Sequence, residues 1–201
     1  WMTGKLVVFE GIDGCGKTTM IKELEKSLTA LGHKVAVVAN IVEGSTTGTA
    51  IRKMLTNPDD CISSMRMVLL YSSELHFACI KKNGIKDLLK KGYIVLCSRY
   101  YYSTYAYGGS SYEVEQVVDA AIKELPKPDK VVFLDVSVDT AVKRLTGKEK
   151  DFYETAAKLN KVRDKYMSMI ARKQINDILM INNENYLEVN VKLLTKTIVK
   201  L

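Results

Sequence analysis

Followed for its apolar and polar positions, the chain breaks into short apolar runs separated by stretches with helical spacing. The first run, Val7-Val8-Phe9, leads into glycine-rich sequence and then into apolar residues at 20, 21, 24, 28 and 31, which predicts a strand and a helix. A second short strand is predicted at 34–39 after the Gly32-His33 turn, and 40–49, rich in Gly, Ser and Thr, reads as a loop. A helix over 49–55 should stop before Asn57-Pro58, since proline disfavours helix in the residue before it. Residues 62–91 read as mainly helical with a break at Asn83-Gly84. Then come a buried strand at 93–97, a polar and aromatic stretch over 98–112, and a helix over 112–125. Pro126-Lys127-Pro128-Asp129 forces an extended connection into a strand at 130–135. A helix over 138–144, a basic break around Gly147, an amphipathic helix over 151–173, a strand at 178–181 and a helix over 186–201 complete the pattern.

Short apolar strands alternating with helices predict an α/β fold, a parallel sheet with helices on both faces in three layers. No repeat, low-complexity tract or linker interrupts the pattern, so residues 1–201 are expected to form a single domain. That length suits one buried core. Hydrophobic content of 47% and charged content of 26% are ordinary for a soluble protein. No apolar run approaches the roughly 20 residues that cross a bilayer, and no signal-peptide layout is read, so a cytoplasmic protein without a membrane partner is expected. The four cysteines (15, 61, 79, 97) form no Cys-x-x-Cys pair and read as reduced thiols. The net charge of +7 comes from scattered lysines, which points to a solvated surface and anionic small substrates rather than nucleic acid.

The chemistry is concentrated where the first strand meets its helix. There the sequence reads Gly-x-x-x-x-Gly-Lys-Thr, with glycines at 11 and 16. Strand, glycine loop and helix together make a phosphate site: the backbone wraps so that N–H groups point inward, and the helix adds its positive dipole end. Gly11, Ile12, Asp13, Gly14, Cys15, Gly16, Lys17, Thr18 and Thr19 are the expected ATP-binding residues. Lys17 would reach the outer phosphates and the Thr18 hydroxyl would ligate Mg²⁺. The bland alternative is a glycine-rich turn that merely joins strand to helix. No Asn-Lys-x-Asp guanine motif is present, and the chain is shorter than a motor ATPase. Arg99, just past the 93–97 strand, falls on the edge where open α/β sheets bind ligands, and its planar fork suits phosphate oxygens. A nucleotide kinase fits these features.

At this point the sequence resembles the thymidylate kinase family of P-loop nucleoside monophosphate kinases. The resemblance rests on Phe9-Glu10-Gly11 leading into the glycine loop, on Ile94-Val95-Leu96-Cys97-Ser98-Arg99-Tyr100, on Ser103 and Ala106-Tyr107 beyond it, on Leu125-Pro126-Lys127-Pro128-Asp129 before Phe133-Leu134-Asp135, and on Lys161-Val162-Arg163-Asp164-Lys165-Tyr166. It implies transfer of the ATP γ-phosphoryl to a deoxynucleoside monophosphate, dTMP to dTDP, by a homodimer. It implies that Arg99 holds the transferred phosphoryl and the acceptor phosphate together, that Asp13 meets the sugar 3′-hydroxyl, that Tyr71 stacks on the base, and that Tyr107 closes the sugar pocket with Ser103 nearby. Arg144 would lie over adenine, and Lys148 and Lys150 would belong to a lid at about 145–151. Tyr71 and Tyr107 suit plain core packing equally well, and the two lysines suit a solvated loop.

Three positions depart from the family. Ser98 stands where an aspartate precedes the motif arginine, Leu75 stands where an arginine reads the thymine carbonyl, and the 40–45 loop has no cation for the acceptor phosphate. Altered monophosphate specificity, or a nucleotide-binding protein without catalysis, is therefore an alternative. A deoxynucleoside kinase is another. That chemistry wants a carboxylate base beside the sugar, for which Glu10 or Glu43 is the candidate.

Overall fold

In the computed structural model, which describes residues 3–57, 63–108, 111–146 and 154–201, all five apolar runs become strands of one parallel sheet. The strands are β1 (Lys5–Glu10), β2 (Val35–Ala39), β3 (Ile94–Ser98), β4 (Lys130–Asp135) and β5 (Ile178–Asn182), in the spatial order β2-β3-β1-β4-β5. β1 is central, flanked by β3 (Val7 opposite Leu96) and β4 (Val8 opposite Val131). A strand buried on both faces cannot alternate apolar with polar, which explains its continuous Leu-Val-Val-Phe run. Its side chains still alternate between layers. Val7 and Phe9 face the core shared with α1 (Lys17–Ala30), α8 (Ala156–Ala171) and α9 (Leu187–Ile198). Leu6 and Val8 face the opposite layer of α3 (Ser64–Ile80) and α4 (Ile85–Lys90).

The remaining helices are α2 (Thr46–Thr56), α5 (Tyr101–Gly108), α6 (Tyr112–Ile122) and α7 (Val138–Leu145). Five helices start at side-chain caps: Ser45, Ser63, Ser111, Ser137 and Thr155 each accept a hydrogen bond from the third backbone N–H beyond them. The Ser45 cap starts α2 three residues earlier than the apolar period indicated. The polar and aromatic stretch 98–112 folds largely into α5, and the break at Asn83-Gly84 separates α3 from α4. Strand order reverses beside β1, so the C-terminal ends of β1 and β3 open a crevice where ligands bind in such sheets. No helix among the described residues is long and apolar enough to cross a membrane.

Candidate active site

The glycine loop leaves β1 and wraps over the start of α1. Gly11 (φ +137°) and Gly16 (φ +96°) adopt conformations that a side chain would strain. A Cβ on Gly11 would lie 2.6 Å from the Leu134 carbonyl oxygen, and one on Gly16 2.7 Å from Asn183 Nδ2. Lys17 is 8% exposed, and its ammonium donates to the Gly11 carbonyl at 3.0 Å and the Ile12 carbonyl at 2.9 Å. Its charge therefore sits in the hollow of the loop. Thr18 and Thr19 are exposed at the helix start.

Beside the loop lies a cavity of about 190 Å³, walled by Asp13, Asn40, Ile41, Arg52, Leu55, Tyr71, Ser98, Arg99, Ser103, Thr104 and Tyr107. All five residues expected on the acceptor side, Asp13, Tyr71, Arg99, Ser103 and Tyr107, meet here. Arg99 follows β3 in the left-handed region (φ +67°), with its N–H on the Phe9 carbonyl at 2.9 Å. That conformation turns the chain out of the strand and costs a non-glycine residue some strain. Nη2 donates to Asp13 Oδ1 at 2.5 Å and to the Tyr107 hydroxyl at 2.8 Å, and Nη1 donates to Ser103 Oγ at 3.1 Å. The Tyr107 hydroxyl donates to Asp13 Oδ2 at 2.7 Å. Burial works against the Asp13 charge, but Arg99, Lys17 and the Tyr107 hydroxyl outweigh it and bring the carboxyl down to about 2. An ionised hydrogen-bond acceptor thus stands beside a guanidinium.

A second cleft, about 310 Å³, lies on the other side of the loop, between Gly16, Thr19, Arg144 and the 183–187 turn. Arg144 Nη2 donates to the carbonyls of Asn183 at 3.0 Å and Glu184 at 2.5 Å. Asn183 Nδ2 donates to the Cys15 carbonyl at 2.8 Å, so this turn and the phosphate loop are fastened together. The guanidinium becomes a fixed flat wall, which suits stacking on a base.

The thymidylate kinase family profile matches residues 9–193. The chain is 35% identical over 158 residues to a thymidylate kinase of Caldanaerobacter subterraneus, covering 76% of this chain and 74% of that one. It is 33% identical over 175 residues to one from Thermoanaerobacter sp., covering 84% and 85%. The chain belongs to the thymidylate kinase family. Its fold superposes with a TM-score of 0.83 on the thymidylate kinase of Candida albicans, at 23% identity, over 98% of this chain and 92% of that one.

In this thymidylate kinase family member, two of the three departures have visible consequences. Leu75 is 1% exposed and packs in the layer of Val95, Cys97 and Tyr100, away from the acceptor cavity. The 40–45 loop brings no cation, but one that the sequence did not single out, Arg52, lines the cavity from α2. Its signal in the sequence was only an arginine on a helix facing the loop. Ser98 lines the cavity without a carboxylate. Lys148 and Lys150 lie outside the described residues, as does most of the 145–151 segment.

Glu10 is the other residue whose setting the sequence did not show. It is fully buried. Oε1 accepts the Tyr100 N–H at 2.8 Å, and Oε2 accepts the hydroxyls of Ser103 at 2.6 Å and Tyr166 at 2.7 Å. Burial pushes its carboxyl up, against the pull of Arg99 and these hydrogen bonds. With both oxygens engaged, Glu10 cannot stand beside a sugar hydroxyl as a base. Glu43, the other candidate, is exposed and does not line the cavity.

Proposed function

We propose that this kinase transfers the γ-phosphoryl of ATP to dTMP, giving dTDP and ADP. The observation that carries the reading is the Asp13–Arg99–Tyr107 cluster, which faces an acceptor cavity on one side of the phosphate loop while Arg144 walls a donor cleft on the other. ATP is assigned to Gly11, Ile12, Asp13, Gly14, Cys15, Gly16, Lys17, Thr18, Thr19 and Arg144, the acceptor to Asp13, Tyr71, Arg99, Ser103 and Tyr107, with Arg52 added. The acceptor phosphate is already anionic near neutral pH, so no general base is required. One of its oxygens attacks the γ-phosphorus, the bond to the β,γ-bridging oxygen breaks, and ADP leaves. The protein contributes position and charge: Lys17 at the outer phosphates, Arg99 spanning the two phosphoryl groups. Lys148 and Lys150 are assigned to the lid, as further cations.

Mg²⁺ is expected to arrive with ATP. Among the described residues no group of three His, Cys, Asp or Glu side chains could hold a metal, whereas the exposed Thr18 hydroxyl at the start of α1 suits a nucleotide-bound ion. The ion would neutralise phosphate charge. A cytoplasmic homodimer is proposed from the family resemblance, and the exposed apolar side of α3, Leu69, Phe77 and Ile80, supports the dimer. A coupled ADP-release assay with dTMP, dUMP, dCMP and thymidine tests the reading. Turnover with dTMP and none with thymidine is expected. Because Leu75 is core, discrimination among the monophosphates should be set by apolar contact, about 10- to 200-fold. Turnover with thymidine alone would overturn it.

A further inference from the structure

We propose that Glu10 and Tyr166 are positioning residues for Arg99 and act on it through Ser103. The proposal rests on the phosphoryl-transfer reading and adds what keeps the arginine aimed. The two ends of the guanidinium are anchored differently. Nη2 is held by Asp13 and Tyr107, which themselves line the acceptor cavity. Nη1 is held by Ser103 Oγ at 3.1 Å. Behind that oxygen the Ser103 and Tyr166 hydroxyls both donate to Glu10 Oε2, at 2.6 Å and 2.7 Å, which uses both hydroxyl protons and leaves their oxygens 2.8 Å apart. Ser103 also lines the cavity but is only 5% exposed. Glu10 and Tyr166 behind it have no exposed surface and do not line the cavity, so an acceptor does not reach the two groups that hold the Ser103 hydroxyl.

The direction of each hydrogen bond matters. The guanidinium can only donate, so Ser103 Oγ must offer it a lone pair. It does so when its own proton is drawn away by the Glu10 carboxylate. Tyr166, reaching in from α8, shares that carboxylate and fixes where it points. Glu10 also accepts the Tyr100 N–H at 2.8 Å, next to the left-handed backbone of Arg99. One buried carboxylate therefore sets the backbone beside the arginine and the hydroxyl under its fork. A buried carboxylate without such partners would be costly, and its position here is correspondingly well determined.

Tyr166→Phe removes one hydroxyl and keeps the ring that packs on Phe133 at 5.1 Å. It should lower kcat about tenfold and leave KM for ATP unchanged, by analogy with outer partners of metal ligands. Glu10→Gln should act in the same direction, because with the amide oxygen kept on the Tyr100 N–H the NH2 group takes the place of Oε2 and donates to Ser103 Oγ instead of accepting its proton. In an Arg99→Lys background, Tyr166→Phe should change nothing further, since the fork it positions is gone. Independently of turnover, ¹⁵N spectra of the substrate-free protein should show distinct Arg99 Nη1 and Nη2 signals that average in Tyr166→Phe. An equal loss of kcat in both backgrounds, or unaltered Arg99 rotation, would overturn the proposal. A wild type without dTMP turnover would instead remove the kinase reading, and the spectra would still decide this one.

Discussion

Two acidic residues three positions apart show how far environment decides chemistry. Asp13 and Glu10 both answer to Arg99, yet their carboxyls move in opposite directions. Asp13 is held at about 2, below its unfolded value near 3.9, so its contribution to stability is present above pH ~4 and lost as pH falls toward 2. Glu10 is raised by burial above an unfolded value near 4.3, so its contribution is present below that pH and lost as pH rises through its folded value. Urea midpoints measured between pH 2 and 7 should show the difference. Asp13→Asn should flatten the acid limb between about pH 4 and 2, and Glu10→Gln should flatten the opposing slope above pH ~4.3. An acid limb unchanged in Asp13→Asn would mean that the ion pair does not hold the carboxylate ionised. Arg99→Lys tests the same pair in catalysis. A lysine cannot serve Ser103 on one side and Asp13 with Tyr107 on the other, so a drop of ~10²–10³ is expected, mainly in kcat. Wild-type kcat in that variant would remove the arginine from the mechanism.

Elements place these residues, and α2 shows how. Ser45 Oγ caps α2 by accepting the Gly48 N–H at 2.9 Å, and it donates to Glu74 Oε1 of α3 at 2.6 Å. Glu74 also takes the Val42 N–H at 2.8 Å, so the loop after β2 and the start of α2 are tied to one buried carboxylate. That tie sets where Arg52, two turns on, meets the acceptor cavity. Arg52→Ala should raise KM for dTMP about tenfold and leave KM for ATP unchanged, as loss of one charged contact to the acceptor phosphate from an exposed position. Equal effects on both substrates would place Arg52 outside the acceptor site. The order of strands and helices was legible because burial on one side leaves a 3.6-residue period and burial on both leaves an unbroken apolar run. α5 was not, since Tyr-Tyr-Ser-Thr-Tyr-Ala-Tyr-Gly is covered on nearly every side and carries no period. The glycine loop and Arg99 were legible because backbone geometry and charge demand those residue types. Arg52 and the Glu10 network were not, because three or more elements must dock before such residues have partners.

At the scale of the molecule, one helix carries more apolar surface than the chain can cover. α3 buries Met67, Val68, Leu75, Ala78 and Cys79 against its neighbours, yet Leu69, Phe77 and Ile80 remain 53%, 42% and 67% exposed. A helix apolar around most of its circumference is normally enclosed, and a contiguous exposed patch marks a contact surface. Positions 69, 77 and 80 recur at two and three helical turns, so they form one side. A two-fold axis through that side would set α3 against its own copy, which is the self-complementary arrangement of most homodimers. Ile80→Glu then places a charge in an apolar contact and two like charges near each other across the axis. Sedimentation at micromolar concentration should show a dimer for the wild type and a monomer for the variant. Since Tyr71 lines the acceptor cavity from the same helix, the monomer should also bind dTMP more weakly while its ATP affinity holds. A monomeric wild type would leave the α3 side to some other partner. A dimer that survives Ile80→Glu would move the two-fold contact elsewhere on the surface.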